Sequence, residues 1–365
     1  MKKIDIIAGA RPNFMKIGPI MHALAKHNKE NPDNKIEHRL IHTGQHYDKK
    51  MSEDFFEQLN IPQPNLNLGV GSGTQAYQTG QIMLKYEEAI KEWKPELCIV
   101  VGDVTSTMAC AITAKKEWVK VAHVEGGIRS GDEKMPEEIN RMATDSITDY
   151  FFTTSSVANT NLKALGHSAD KIFFVGNTMI DSLLDNMNRF SAPDFYKEEK
   201  LEKGKYLVMT LHRPSNVDGY ENLRTLLSLI NENVGDRKVV FPMHPRTKKM
   251  FDQLNIAFDK LVITGPMPYL QFNYLVKNAL GVVTDSGGIT EETTVMGVPC
   301  MTLRNSTERP ETVTMGTNEI VGTNPENIVP YLKKLVSGEW KSGSIPELWD
   351  GKTARRIIEV IAKLG

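Results

Sequence analysis

The chain has 365 residues, of which 40% are hydrophobic and 24% are charged, and its formal net charge is −1 at pH 7. A length of this order corresponds to about two domains. The near-neutral charge excludes a general electrostatic attraction to nucleic acid or to anionic membranes. An anionic ligand would therefore have to be held by local basic side chains and helix termini.

Cysteine usage and the first residues of the chain indicate a soluble protein of the cytoplasm. The three cysteines are an odd number without metal-ligand spacing, and Cys98 and Cys300 lie in apolar runs where we expect buried free thiols. The apolar run near the N-terminus breaks at residues 9–12, too early for a signal peptide or a membrane span.

Short apolar runs rich in β-branched residues alternate with longer amphipathic stretches along the chain. The first series of predicted strands is "IDIIAG" (4–9), "EHRLIHTG" (37–44), "ELCIVVGD" (96–103), "VKVAHVEGG" (119–127), "YFFTTS" (150–155) and "KIFFVGN" (171–177). The second series is "KYLVMTLH" (205–212), "KVVFPMH" (238–244), "KLVITGP" (260–266), "ALGVVTD" (279–285) and "VPCMTL" (298–303). Continuous apolar strands that alternate with helices predict two doubly wound, parallel-sheet α/β domains in tandem. A charged stretch at 191–205 separates the two series, and "KTARRIIEVIAKLG" at the end predicts a further amphipathic helix.

Ligands of open α/β sheets bind outside the carboxyl ends of the strands, and most of the unusual polar residues of this chain follow predicted strands. These residues are Arg11, His46, Asp103, Glu125, His212, His244, Ser286 and Arg309. Two domains with facing strand ends would enclose a cleft, and the clustering favours a function located there.

In the first series, "GARPNFMK" places Arg11 and Lys16 around a strand-to-helix turn, where Lys16 could point back towards an anion. The segment matches neither the Walker P-loop nor G-x-G-x-x-G, and a solvated Arg and Lys is the alternative. Asp103 ends "VVGD" and could simply cap the next helix. Glu125 closes another strand, and Glu137 begins a helix that also carries Arg141, with which it could form an i,i+4 ion pair. Crowded carboxylates raise one another's pKa, so these three acids would suit general acid–base chemistry at carbon.

The second series carries features suited to an anion. His212 and Arg213 follow its first strand, and His244 follows its second. In "TDSGGITEE" the pair Gly287–Gly288 lies between a strand and a helix, where phosphate could approach unpaired N–H groups, although Ser286 as an ordinary helix cap is the alternative. Neither zinc-like His spacing nor a D-x-D pair occurs, so we expect no metal.

Nine motifs, taken in order, resemble the non-hydrolysing UDP-N-acetylglucosamine 2-epimerases. They are "GARPNFMK", "HTGQHYD", "GDVTST", "HVEGGIRSGD…MPEEINR", "FVGNTMIDSL", "LHRPSN", "TDSGGITEE", "GVPCMTLR" and "TERPETV". The resemblance implies two facing Rossmann-like domains (the GT-B arrangement), divided as 1–177 with a returning C-terminal helix at 352–365, and 178–351. It also implies a homodimer, no cofactor, and a product that serves cell-surface polysaccharide biosynthesis.

The resemblance further implies a mechanism. The enzyme would remove the C2 proton of UDP-GlcNAc and expel UDP to give 2-acetamidoglucal, and re-addition would give UDP-ManNAc. The residues implied at the reacting centre are Asp103, Glu125, Glu137, Arg141 and His212. The residues implied in binding are Arg11, Lys16, His212 and Arg309 at the diphosphate, Ser286, Gly287 and Gly288 at the helix N-terminus, Glu292 at the ribose, and Phe272 and Met267 at the uracil. Glu291 is predicted to be structural.

Several positions depart from the pattern. Many members read "GTRPE" and "EAGLR" where this chain has "GARPN" and "EGGIR", and we expect Gly126 to loosen the turn after Glu125. Gln45, Arg213 and His244 match a second, activating UDP-GlcNAc site of some members, whereas "YDKKM" differs and no matching Arg lies near residue 75. The alternatives are a sister group acting on UDP-2,3-diacetamido-2,3-dideoxyglucuronate, a GT-B glycosyltransferase, and a non-catalytic nucleotide-sugar binding module.

Overall fold

The computed structural model describes residues 2–44 and 59–364, without the side chains of Arg11 and Pro12. Two compact units are formed, one from Met1–Asp185 with Glu347–Gly365 and the other from Asn186–Pro346. We call them unit 1 and unit 2. The structure thus divides the chain after Asp185 and Pro346, whereas the sequence analysis places the divisions after residues 177 and 351.

A seven-stranded parallel sheet forms the centre of unit 1, in the spatial order β3-β2-β1-β4-β5-β6-β7. Its strands are β1 (Lys2–Ala8), β2 (Ile36–His42), β3 (Leu66–Asn67), β4 (Leu97–Val101), β5 (Lys120–Val124), β6 (Tyr150–Thr153) and β7 (Ile172–Phe174). All five residues of β4 are buried, as expected of a strand covered on both faces.

Helices cover both faces of this sheet. They are α1 (Arg11–Glu30), α2 (Gln75–Trp93), α3 (Thr105–Lys116), α4 (Pro136–Ile147), α5 (Ser156–Ala164), α6 (Thr178–Asn186) and the C-terminal α15 (Thr353–Lys363). Helix α1 packs against α15, while α3 packs against α2 and α4, so the first and the third helix belong to different layers.

Unit 2 has a six-stranded parallel sheet in the order β10-β9-β8-β11-β12-β13. Its strands are β8 (Tyr206–Thr210), β9 (Lys238–Pro242), β10 (Leu261–Thr264), β11 (Gly281–Thr284), β12 (Cys300–Thr302) and β13 (Asn318–Ile320). Its helices are α7 (Phe195–Glu198), α8 (Pro214–Val217), α9 (Tyr220–Asn233), α10 (Pro245–Leu254), α11 (Tyr269–Asn278), α12 (Gly287–Met296), α13 (Pro310–Thr314) and α14 (Ile328–Ser337).

These sheets confirm the predicted fold class of two doubly wound parallel-sheet domains. Two edge strands, β3 and β13, were not predicted, because two or three residues containing asparagine give no apolar run to recognise. Cys98 and Cys300 are buried free thiols, as expected. Within residues 2–44 and 59–364, no helix combines the length and hydropathy that crossing a membrane requires.

The C-terminal segment packs on unit 1 through buried polar contacts. The indole of Trp349 is buried and donates from Nε1 to the Thr154 carbonyl at 3.0 Å. Gly176 has φ +103°, and a Cβ there would stand 2.2 Å from the Leu348 carbonyl oxygen, so only glycine fits. These contacts fix the place where α15 begins.

Asp181 of α6 caps the first turn of α15. Its Oδ1 and Oδ2 accept from the backbone N–H groups of Thr353 and Ala354 at 3.1 and 2.7 Å. A helix N-terminus has unpaired N–H groups, so a carboxylate from a neighbouring helix both satisfies and orients it. The "FVGNTMIDSL" motif therefore positions the C-terminal helix, because its Gly176 and Asp181 contact the start of that helix.

Asp181 should make the stability of unit 1 depend on pH. Burial raises the pKa of Asp181 from 3.8 to about 6, although the N–H bonds from Ala354 and Thr353 oppose that rise. A folded-state pKa above the unfolded value contributes stability that is complete below about pH 4 and is lost as pH rises through about 6. The free energy of unfolding of Asp181→Asn, measured with urea, should therefore increase relative to that of the wild type as the pH rises from about 4 to 7. A difference that is constant over this range would contradict the assignment.

Candidate active site

In both units the strand order reverses in the middle of the sheet, between β1 and β4 and between β8 and β11. Connections leave such a pair of strands towards opposite faces, which opens a crevice at their carboxyl ends. The structure confirms that the predicted polar residues follow strands: Asp103 follows β4, Glu125 follows β5, His212 follows β8 and Ser286 follows β11.

Asn13 holds the turn between β1 and α1 to the end of β4. Its Oδ1 accepts from the N–H groups of Gly9 and Ala10 at 3.1 and 3.0 Å, and its Nδ2 donates to the Val101 carbonyl at 2.9 Å. A glutamate at this place, as in the "GTRPE" pattern, could accept but could not donate to Val101. This role of Asn13 was not predicted from the sequence.

Lys16 contacts Glu125 directly, with its Nζ 2.5 Å from Oε2. The side chains are 15% and 3% exposed, so the pair is screened weakly by water. Both groups lie close to Gly102, which has φ +69°: a Cβ there would stand 3.2 Å from Lys16 Nζ and 3.7 Å from Glu125 Oε2. Two residues predicted for different tasks, an anion ligand and an acid–base group, are thus brought together.

Glu125 itself adopts an unusual backbone conformation. Its φ is +72°, in the left-handed region that costs a non-glycine residue roughly 1–2 kcal/mol. Such strain is concentrated at functional sites, where surrounding contacts hold the residue in place. The conformation aims the buried carboxylate at Lys16.

Gly126 does not act as the sequence analysis expected. The positive φ values of this turn belong to Glu125 and Gly127, and a Cβ at Gly126 would stand 2.8 Å from Cδ1 of Phe151. The missing side chain therefore serves close packing against a β6 aromatic ring, and the expectation of a looser turn is wrong.

Arg141 of α4 links two carboxylates. It donates from Nε and Nη2 to Asp103 Oδ2 at 3.1 and 2.6 Å, and from Nη1 to Glu138 Oε2 at 2.5 Å. Burial raises the pKa of Glu138, but hydrogen bonds from Ser130, Arg141 and Gly131 outweigh it and hold that pKa below its usual value. Glu138 is thus an ionised anchor for Arg141.

Glu137 lies beside this anchor at the start of α4 and is partly exposed. The ion pair that the i,i+4 spacing suggested for Glu137 and Arg141 is replaced by the i,i+3 pair of Arg141 with Glu138. The reason is that Glu138, Arg141 and Asp145 share the buried face of the helix, whereas Glu137 is turned partly to solvent. Sequence spacing alone could not distinguish the two glutamates.

In unit 2, His212 is oriented by Asp285, a residue the sequence analysis did not single out. His212 Nδ1 lies 2.7 Å from Asp285 Oδ1, and the ring is 49% exposed. The buried carboxylate also accepts from the N–H groups of His212 and Arg213 and from Asn216 Nδ2 at 3.1 Å. Burial raises the pKa of Asp285, but these contacts, above all that with His212, hold it below its usual value. With Nδ1 engaged, Nε2 is the ring nitrogen that can meet a ligand.

The helix after "TDS" begins at Gly287, as predicted, and Ser286 is its N-cap residue without a side-chain capping bond. A Cβ at Gly287 would stand 2.6 Å from Oε1 of Glu308, whose carboxylate is held by Arg304 Nη2 at 2.7 Å. The glycine therefore permits a close approach of an anionic group, here Glu308, to the first turn of α12.

The two glutamates of α12 have different surroundings. Glu291 accepts from Arg309 Nε at 2.8 Å, and both side chains are buried. Glu292 accepts from the Tyr269 hydroxyl at 2.9 Å, and burial raises the pKa of Glu292 to about 7. Arg309, predicted at the diphosphate, is only 2% exposed and ties the segment before α13 to α12. Glu291 has a structural partner, in line with its predicted role.

The other predicted residues lie as follows. Phe272 and Met267 are half-buried and pack against one core cluster of unit 2, His244 is the N-cap of α10, Arg213 is the N-cap of α8, Gly288 is the second residue of α12, Arg11 is the first residue of α1, and Gln45 lies outside the described residues with His46. No group of three or more His, Cys, Asp or Glu side chains in the described part of the chain could hold a metal ion.

The first doubly wound sheet has carboxylates at its strand ends, and the second has a histidine and a glycine-rich helix start. These features define a two-domain α/β enzyme. The chain belongs to the UDP-N-acetylglucosamine 2-epimerase family, whose model matches residues 28–362. The resemblance of the sequence motifs to this family is thereby confirmed.

Individual relatives agree with this placement. The UDP-N-acetylglucosamine 2-epimerase of Methanocaldococcus jannaschii is 40% identical over 98% of this chain and 98% of its own length. The UDP-2,3-diacetamido-2,3-dideoxy-D-glucuronate 2-epimerase of Pseudomonas aeruginosa is 37% identical over 99% of this chain and 100% of its own.

Solved structures are similar over the whole chain. The crystal structure of the M. jannaschii UDP-GlcNAc 2-epimerase in complex with UDP-GlcNAc and UDP has a TM-score of 0.86 at 39% identity, covering 98% of this chain and 99% of that one. The Neisseria meningitidis UDP-GlcNAc 2-epimerase bound to UDP-GlcNAc has a TM-score of 0.87 at 26% identity, with 100% of each chain covered.

Gly126→Ala should destabilise the protein, because the new methyl group would meet the Phe151 ring at 2.8 Å. We expect a loss of about 1–3 kcal/mol in the free energy of unfolding, the usual cost of overpacking a core. Phe151→Leu in the same chain should recover part of that loss, and urea titration of both single variants and the double variant measures the coupling. Strictly additive effects would show that the two positions do not meet.

Proposed function

We propose that this chain interconverts UDP-GlcNAc and UDP-ManNAc, as the name of its M. jannaschii relative suggests. The observation that carries the proposal is the pairing of two strand-end carboxylates with basic side chains, Glu125 with Lys16 and Asp103 with Arg141. Sugar transfer by a glycosyltransferase does not require a base at carbon, whereas inversion at C2 does. The structure of the site therefore favours an isomerase.

The proposed reaction proceeds by elimination and re-addition. A base removes the C2 proton, the C2–H electron pair forms the C1=C2 double bond, and the C1–O bond breaks with its electron pair leaving on UDP. Return of UDP to C1 is accompanied by protonation of C2 on the opposite face. No electrons are gained or lost overall, and we propose that no cofactor takes part.

Asp103, Glu125 and Glu137 are proposed to supply the acid and the base. The Lys16 ammonium group stabilises the ionised form of Glu125, the form that accepts a proton. Arg141, anchored by Glu138, donates to Asp103 Oδ2 and so holds the position of that carboxylate. Glu137 lies on the same helix as Arg141 and has the solvent access through which a proton can be exchanged.

UDP is proposed to bind to residues of unit 2. The N-terminus of α12 (Ser286, Gly287 and Gly288) would take the diphosphate, Glu292 the ribose hydroxyls, and Phe272 and Met267 the uracil. His212, held through Nδ1 by Asp285, would present Nε2 to the diphosphate. Arg11, Lys16 and Arg309 are proposed to offset the phosphate charge, Arg309 acting through the position of α12.

A second substrate has specific support. The P. aeruginosa relative, 37% identical over almost the whole chain, is named for UDP-2,3-diacetamido-2,3-dideoxy-D-glucuronate. That sugar undergoes the same inversion at C2, so the same carboxylates would serve. The two substrates must be compared directly.

We also propose that the chain acts as a homodimer in the cytoplasm, and that Gln45, Arg213 and His244 contribute to a second UDP-GlcNAc site. Light scattering after size-exclusion chromatography measures the first property. Initial rates over a range of UDP-GlcNAc concentrations measure the second, because an activating site gives a sigmoidal curve.

Purified protein incubated with UDP-GlcNAc in D2O, without metal or NAD, should yield UDP-ManNAc with deuterium at C2. The reason is that the proton returned to C2 comes from a group that exchanges with solvent. Proton NMR follows the anomeric signals, and the diacetamido-uronate substrate is run in parallel. Turnover of that substrate alone would replace the proposed one, and product without deuterium would rule out the proposed proton abstraction.

Asp103→Asn and Glu125→Gln should each lower kcat by about 100-fold or more, because each removes a group that moves a proton. UDP affinity, measured by isothermal titration calorimetry, should change by less than about threefold.

Glu133→Gln is the matched control, since Glu133 is an exposed glutamate in the loop before α4. Its kcat should equal that of the wild type. Full activity in Asp103→Asn or Glu125→Gln would remove that residue from the mechanism.

A further inference from the structure

His123 lies at the centre of unit 1, fully buried on β5 and two residues before Glu125. Both of its ring nitrogens have close oxygen partners: Nδ1 is 2.7 Å from Asp145 Oδ1, and Nε2 is 2.7 Å from the Gly102 carbonyl oxygen. In the motif "HVEGGIR" only Glu125 and the glycines were interpreted, and the function proposed above assigns no role to His123.

The partners determine the protonation state of the ring. A carbonyl oxygen can only accept, so Nε2 must carry a proton. Asp145 Oδ2 accepts from Gly127 N–H at 3.0 Å and from Arg129 Nη1 at 2.7 Å, which favours an ionised carboxylate that also accepts at Oδ1. Oδ1 is then paired only if Nδ1 donates to it as well.

The two contacts reach the two catalytic turns. Gly102 immediately precedes Asp103. Its φ of +69° lies in the left-handed region, which residues with a side chain rarely adopt. Gly127, with φ +82°, follows Glu125 by two residues and completes the turn in which Glu125 is strained. One hydrogen-bonded chain, Gly102 O to His123 to Asp145 to Gly127 N, therefore joins the turn that carries Asp103 to the turn that carries Glu125.

We propose that the His123–Asp145 pair is a positioning device that fixes the separation of the Asp103 and Glu125 carboxylates, an inference that rests on the proposed epimerase function. In this device both ring nitrogens donate, because a neutral ring could donate to only one of its two oxygen partners. A buried hydrogen-bonded network keeps its geometry when its groups are paired, whereas a half-paired one relaxes. Neither residue touches the reacting atoms.

Two conservative variants each keep one of the two hydrogen bonds of the His123 ring. In His123→Gln the amide nitrogen can replace Nε2 and keep the bond to Gly102, and in His123→Asn it can replace Nδ1 and keep the bond to Asp145. His123→Leu removes both bonds. We expect kcat to fall by about 10- to 100-fold in His123→Leu, the range for a displacement near 1 Å, with a smaller loss in each amide variant.

The KM for UDP-GlcNAc and the Kd for UDP should stay within about threefold of the wild type, since most of the residues assigned to the nucleotide belong to unit 2. Asp5→Asn is the matched control. Asp5 is a buried carboxylate on the same sheet, paired with Arg39 at 2.9 Å and with the Tyr86 hydroxyl at 3.2 Å, but it lies in the middle of β1 and not at a strand end. It should lower stability as much as the His123 variants do while leaving kcat unchanged.

Nitrogen-15 NMR of histidine-labelled wild-type protein tests the protonation state without any measurement of activity. At neutral pH both ring nitrogens of His123, assigned by their loss in His123→Gln, should resonate in the protonated range and exchange slowly with solvent. An unprotonated ring nitrogen would overturn the proposal.

The proposal is also overturned if kcat is unchanged in His123→Leu, or if the losses of kcat follow thermal stability across the His123 variants and Asp5→Asn alike. A wild-type protein that is inert towards UDP-GlcNAc in D2O would show instead that the proposed function is wrong. The NMR result would still decide whether both ring nitrogens of His123 carry protons and can join the two turns.

Discussion

The reversal of strand order between β1 and β4 is the constraint on which the rest of unit 1 depends. The chain leaves β1 into α1 and leaves β4 into α3, and these helices pack in different layers of the unit. The two turns are therefore neighbours without being covered by a connection, and polar groups can gather there. Asn13 joins the turns by bonding to Gly9, Ala10 and Val101, and so sets the starting point of α1 relative to the end of β4.

This arrangement places charged groups where water is scarce, and the structure compensates by pairing them. Burying an isolated carboxylate is costly unless a cation or several N–H groups replace its hydration. Glu125 has Lys16, Asp103 shares Arg141 with Glu138, and Asp145 lies between His123 and Arg129. The pairs come from α1, α4 and the strand ends, so the charge distribution holds several elements in register.

Unit 2 uses the same topology for different chemistry. The turn after β8 and the turn after β11 are adjacent at its own reversal, and Asp285 from the second turn accepts from the backbone and ring of His212 in the first. Nearby, Gly287 brings the start of α12 within reach of the Glu308 carboxylate, while Glu291 and Arg309 tie α12 to the following segment. One carboxylate of this unit thus orients a histidine, and others fix a helix.

The sequence by itself determined the fold class, because short apolar runs alternate with longer amphipathic stretches, the pattern of parallel strands covered by helices on both faces. It also determined which residue types stand at the strand ends, since these follow the apolar runs directly along the chain. It could not determine the partners. Lys16 and Glu125 are 109 residues apart, and the choice of Glu138 over Glu137 depends on which face of α4 is buried. Three further contacts likewise arise only when distant strands and helices meet. They are the packing of Gly126 on Phe151, the capping of α15 by Asp181, and the contacts of both His123 ring nitrogens. Periodicity is a local property of the chain, whereas ion pairing and close packing depend on tertiary distances that no local pattern encodes.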